Sequence, residues 1–225
     1  MASKESEVQL GDFIKGRLLF VEDYCKKNGL DHGQVMEKIR REAVRLAGSP
    51  ERAELMEKKF LSGPVLSSSY LPYWVDQVFL EAMTVAIKGP GAPVSTRSSR
   101  TPCLTFEAGR FNAHRQADGI FKLLFDRRTP EEWLKASFVT INRKCYGDAF
   151  ADKFRVEETT PRHYRISMDN TGMEKANPMD CATEMGYIFG ALEKLGAKDP
   201  VVGHDRCNAG PGSPSKICVF EASWS

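Results

Sequence analysis

A chain of 225 residues, 41% of them hydrophobic, is long enough for one large domain, or for one domain with a helical extension. Its formal net charge of +2 gives no electrostatic case for nucleic acid, and no apolar run approaches the roughly 18 residues that a membrane-spanning helix needs. The polar start Met1-Ala2-Ser3-Lys4-Glu5-Ser6-Glu7 is unlike a secretion signal, so the expected location is the cytoplasm, where the six cysteines would be thiols or metal ligands rather than disulfides.

The first elements read as helices. Phe13, Ile14, Leu18, Val21 and Tyr24 recur at helical spacing, and Gly29 punctuates the end. Val35, Ile39, Ala43 and Leu46 form a second stripe, closed by Gly48-Ser49-Pro50. A short third helix is predicted from Glu51 to Phe60, and a fourth, apolar on most faces and so buried, from Tyr70 to Ile87. Gly89 to Pro102 reads as a loop, surface or boundary, with Arg97 and Arg100 as solvated charges or phosphate contacts. A helix should run from about Phe106 to Phe125. Another should start at Thr129-Pro130-Glu131-Glu132, where Thr129 caps, Pro130 fits the first helical position and Glu132 completes a capping box.

The period then changes to two. Phe154-Val156-Glu158 and Tyr164-Ile166-Met168 flank a turn at Thr160-Pro161-Arg162, which predicts a hairpin. Asn177-Pro178 opens a helix with Cys181, Met185, Ile188, Leu192 and Leu195 on one face, and Gly196 stops it. Two strands follow, Pro200 to His204 and Lys216 to Trp224. The expected class is α+β: a helical N-terminal region (1–88), a loop (89–102), and a domain (103–225) with an antiparallel sheet, strand-strand-helix-strand-strand, packed against helices.

The tail also carries the chemistry. Cys181 falls in the first turn of its helix, where the helix terminus favours a thiolate. His204 and Cys207 lie three apart at a strand end, and Cys218 starts the next strand. Three thiols and an imidazole suit a closed tetrahedral zinc site, structural because no coordination position stays open. The alternative is that Cys181 and Cys218 are core residues and that His204 and Cys207 sit exposed at a turn. Motifs for dinucleotide, phosphate or hydrolase chemistry are absent, so the sequence offers no catalytic residues.

These residues carry a resemblance. Cys181-Ala-Thr-Glu-Met-Gly-Tyr-Ile-Phe-Gly190, His204-Asp-Arg-Cys207 and Cys218-Val-Phe220 resemble the end of 4-vinyl reductase domains. They are similar also to the sensor domains of phenol- and xylene-responsive bacterial activators, in which cysteines and a glutamate hold zinc. His204 stands in place of that glutamate. The resemblance implies a zinc ion on Cys181, His204, Cys207 and Cys218 and a 4-vinyl-reductase-like fold. It also implies an apolar pocket between two layers, as in the related trafficking-scaffold and haem-based gas-sensor folds. The expected occupant is a small hydrophobic or aromatic ligand, walled by Trp133, Phe138, Tyr146, Tyr187 and Phe189, with His114 and His163 as polar handles. A haem ligand is also conceivable for His114. The implied function is a sensor-type binding module that signals to a partner protein; separately, the broad apolar N-terminal helices, Tyr70 to Ile87 above all, are a candidate homodimer surface. The alternatives are an accessory or enzymatic role in tetrapyrrole metabolism, or a scaffold without ligand.

Overall fold

The computed structural model describes residues 8–62, 68–147, 152–169, 177–206 and 217–225. It divides into two compact units, Met1–Pro93 and Val94–Ser225.

In the first unit α1 (Gly11–Asn28), α2 (His32–Leu46), α3 (Pro50–Met56) and α4 (Trp74–Lys88) surround a core that includes Ile14, Val21, Ile39, Met56, Val75, Phe79 and Met83. Local chemistry sets the ends. Asp31 caps α2 by accepting a hydrogen bond from the Gln34 N–H, and Ser49 caps α3 through the Arg52 N–H, with Pro50 at the first helical position. Past Met56 the chain widens into a π-helical turn, Glu57–Leu61. Between α1 and α4, the Arg17 guanidinium donates from Nε and a terminal nitrogen to both carboxylate oxygens of Asp76, at 3.2 and 3.3 Å, and both residues are buried.

One expectation fails here. Tyr70–Pro72 is not the start of the fourth helix but a short strand, β2, antiparallel to β1 (Val8–Leu10). Pro72 disfavours helical geometry at Leu71 before it, so the chain is extended there and α4 begins only at Trp74.

The second unit holds α5 (Leu104–Asp118), α6 (Lys122–Phe125), α7 (Pro130–Glu132), α8 (Phe138–Tyr146) and α9 (Pro178–Lys194). Its sheet comprises β3 (Phe154–Thr160), β4 (His163–Asp169), β5 (Val201–Arg206) and β6 (Ile217–Ser223), in the antiparallel order β3-β4-β6-β5. The α+β class and the strand-strand-helix-strand-strand order hold. The predicted Phe106–Phe125 helix is broken at Gly119: the N–H groups of Gly119 and Phe121 both turn back onto the Gln116 carbonyl at 3.1 Å, and α6 restarts at Lys122. The Thr129 capping box forms in both directions, at 3.2 and 2.9 Å. A π-helical turn, Trp133–Ser137, then joins α7 to α8.

Period-two patterning gives the sheet one covered face. Phe154, Tyr164, Ile166, Val202, His204, Cys218, Phe220 and Ala222 are all buried, and α9 packs over β5 and β6. Helices α5 and α9 meet backbone to backbone. A Cβ on Gly109 would run into the Thr183 carbonyl, one on Gly186 into the Phe106 carbonyl, and one on Gly190 would sit 2.7 Å from the Arg110 oxygen. Glycine is required at these positions because any side chain would force the helices apart.

Candidate functional site

Three side chains of the second unit converge at one corner of the sheet. Asn177 accepts a hydrogen bond from the Met179 N–H at 3.0 Å and fixes the start of α9, with Pro178 in the first turn. That start sets Cys181 on the helix face turned toward the core. In the sheet, His204 lies opposite Phe220 in the β5–β6 register, and Cys218 is two residues from Phe220 on the same strand. His204 and Cys218 are therefore diagonal neighbours on the covered face. The Cys181 and Cys218 sulfurs are 3.5 Å apart, and one ligand atom from each of Cys181, His204 and Cys218 lies within 4.8 Å of the others. All three residues are buried, Cys181 at 7% exposure and Cys218 at 0%. The His204 ring lies nearly parallel to Phe220, centroids 4.6 Å apart, which fixes its plane. Cys207, the fourth residue of the predicted ligand set, lies outside the described residues, as do Lys216 and the segment Met1–Glu7.

The strand that carries His204 is held from outside. The His204 N–H donates to the Arg97 carbonyl at 2.9 Å, the Ser99 N–H donates to the Val202 carbonyl at 2.8 Å, and the Val202 N–H donates to Ser99 Oγ at 3.0 Å. Ser98 also bridges to Gly203. The segment expected to be an open loop thus runs along the β5 edge, with Arg97 and Arg100 exposed. A register shift between His204 and Arg206 follows at once, and such a bulge re-aims the chain just past the histidine.

The predicted ligand wall lies elsewhere and is not gathered in one place. Trp133, Phe138 and Tyr187 are buried against one another and their neighbours. Trp133 lies 5.3 Å from Phe125, 5.5 Å from Phe138 and 6.4 Å from Tyr187, and Phe138 meets Phe154 edge-on at 5.4 Å. Tyr187 donates to the Gln116 side-chain oxygen at 2.8 Å. Tyr146 is half-buried at the end of α8. Phe189 belongs to another seam, against Phe106 at 5.5 Å and under the Arg110 guanidinium.

Sequence reading overlooked a polar cluster on that seam. Arg110 donates to both oxygens of Glu193 at 2.7 and 2.8 Å, and His114 Nε2 is 3.1 Å from the same carboxylate. The hydrogen bond to Glu193 holds the Arg110 pKa above its usual value. The available signal was spacing: Arg110 and His114 are four apart and share a helix face. The other predicted handle, His163, is exposed at the start of β4.

No protein-family model matches the sequence, and no curated protein matches it. The likeness is to solved structures. An Fe(II) unliganded H-NOX protein mutant from K. algicida superposes with a TM-score of 0.59 at 14% identity, over 96% of each chain. An oxygen-binding H-NOX domain related to soluble guanylate cyclases, in its oxygen complex, gives 0.57 at 8% identity, over 95% of this chain and 94% of that one. An H-NOX protein from S. oneidensis in the Fe(II)NO ligation state gives 0.54 at 13%, over 86% and 98%.

This finding corrects the 4-vinyl reductase resemblance and what it implied. The aromatic-ligand sensor, the pigment-metabolism and scaffold alternatives, and the structural zinc are withdrawn with it. The misreading has a physical source. Gly186 and Gly190 are demanded by the α5–α9 approach, and Phe220 by the covered face of the sheet. Gly186 and Gly190 therefore serve the packing of α9 on α5, and Phe220 that of the sheet's covered face. None of the described helices is long and apolar enough to cross a membrane. At these identities the likeness extends to the fold: the chain folds in the manner of H-NOX domains.

Proposed function

We propose that this chain is a regulatory module of H-NOX-like fold that works without haem, with the buried Cys181–His204–Cys218 cluster as its chemical centre and a cuprous ion as the occupant. The regulatory part of the reading rests on the fold likeness, and fold alone does not carry function. The chemistry rests on the site.

Haem needs an axial donor aimed into a flat apolar slot. His32 and His163 are exposed. His114 has 43% of its side chain exposed and lies against the Glu193 carboxylate, beside Arg110. His204 is stacked flat on Phe220 among two sulfurs. Phe125, Trp133, Phe138, Phe154 and Tyr187 are linked by ring contacts, Trp133 touching Phe125, Phe138 and Tyr187, and Phe138 meeting Phe154. These residues do not fit haem.

The observation that carries the proposal is the convergence of two sulfurs and one imidazole on three buried residues. Thiolate and imidazole donors select soft and borderline metals over magnesium or calcium, which take oxygen ligands. The test is a titration of the reduced, metal-free chain with cuprous ion against a chromophoric chelator, following thiolate-to-metal absorption. One equivalent should bind per chain, and Cys218→Ser should abolish the absorption. No binding in competition with the chelator sinks the reading. Added haemin should give no stoichiometric Soret shift, and a sharp one would restore haem.

A further inference from the structure

We propose that a cleft in the first unit, between α2 and the π-helical turn Glu57–Leu61, binds an apolar α-amino acid in its zwitterionic form. The inference goes beyond the cuprous reading and shares no residue with it.

The cleft follows from the helix pattern. Val35, Ile39 and Ala43 are the buried stripe of α2. Gly33, Met36, Glu37 and Arg40 recur at helical spacing on a neighbouring face, and with Leu61 they line a hollow of about 330 Å³. That volume is at the small end of the range for small-molecule sites, about 300–1,000 Å³. One wall is the π-helical turn, a rare geometry that is frequent at functional sites.

Arg40 is held in place by one arm. Its Nη2 donates to the Leu61 carbonyl at 3.2 Å, which ties the guanidinium to the end of the π-helical turn. Its Nη1 lies 3.6 Å from Glu37 Oε2, too far for a hydrogen bond. Neither side chain is closed off: Arg40 is 40% exposed and Glu37 56%. An exposed pair at this distance contributes little to folding, so a ligand that engages both charges displaces little.

The charges select the ligand. A guanidinium fork matches a carboxylate. The neighbouring Glu37 carboxylate accepts from an ammonium and opposes any second negative charge. A cation and an anion side by side therefore suit a molecule whose own carboxylate and ammonium sit on one carbon. Met36 and Leu61 offer apolar surface to its side chain, and Gly33 adds no side chain that would fill the hollow. A lone carboxylate meets repulsion from Glu37, a lone amine meets repulsion from Arg40, and a phosphate dianion is opposed by Glu37 more strongly than a monoanion is.

The experiment titrates the full chain, without metal, with L-leucine, and follows backbone amide shifts by NMR alongside calorimetry. Saturable binding at one site per chain is expected, with shifts centred on residues 33, 36, 37, 40 and 61. Leucinamide, which lacks the carboxylate, and N-acetyl-leucine, which lacks the ammonium, should each bind at least about tenfold more weakly. Glycine, which lacks the apolar side chain, should also lose about tenfold. In Glu37→Gln, a change on an exposed side chain, the preference for leucine over N-acetyl-leucine should vanish. No saturable leucine binding, an analogue that matches leucine, shifts centred elsewhere, or a preference that survives Glu37→Gln overturns the proposal. The cuprous titration decides the Cys181–His204–Cys218 reading separately, because each experiment is run without the other's ligand.

Discussion

The two units each bury a polar centre, and the centres are of opposite kinds. In the first, Arg17 and Asp76 complete each other: a fork of donors faces two acceptors, and charge cancels within the pair. In the second, two thiols and an imidazole converge, groups that can each offer an electron pair to one ion. A complementary pair is finished by folding. A set of converging donors can in addition be shared by one ion.

That contrast orders the expected effects. Asp76→Ala leaves a buried guanidinium without its carboxylate and should cost about 3–5 kcal/mol in urea unfolding. The double change Arg17→Met with Asp76→Leu should recover most of that loss, and a double variant as unstable as the single one would break the comparison. Next, Gly186→Ala drives a methyl group into the Phe106 carbonyl. Overpacking of this kind costs about 1–3 kcal/mol where side chains must yield, and here the obstacle is backbone, so the loss of melting temperature should lie at the upper end. Cys218→Ser in metal-free protein should cost only about 1 kcal/mol in thermal unfolding, within the ordinary range for a single substitution, while removing metal binding. A large loss without metal would make the second centre a stability device like the first.

The smallest effect belongs to the exposed Lys135–Glu158 bridge. The Lys135 hydrogen bond holds the Glu158 carboxyl below its usual value. A lowered carboxyl contributes stability above its unfolded pKa and loses it as pH falls through the folded value. Acid titration of Glu158→Gln against the parent should show a difference above the ordinary glutamate pKa of about 4.3 that fades as pH falls through the lowered folded value, close to measurement scatter throughout and smaller in high salt.

Much of the second unit was legible because its signals are local. Thr129-Pro130-Glu131-Glu132 and Asn177-Pro178 announce their caps within four residues, and both helices begin there. Alternation along Cys218, Phe220 and Ala222 places those side chains on one face before any partner strand is known. The convergence of Cys181, His204 and Cys218 follows from that alternation together with one helix start. What stayed hidden is non-local. Pairing of β1 with β2 joins residues about sixty positions apart, the Arg17–Asp76 pair spans 59 positions, and the π-helical turns carry no residue signature. The family resemblance misled because the glycines that carried it, Gly186 and Gly190, are also demanded by the close approach of α5 and α9.

The short segment along β5 has a consequence for solubility. An uncovered edge strand is a template on which other chains can aggregate. Residues 97–99 occupy that edge through the bonds to Val202 and His204. The opposite edge, β3, presents Arg155, Glu157 and Glu158 to water. One margin is closed by backbone and the other is guarded by charge, so runaway sheet growth is opposed on both sides.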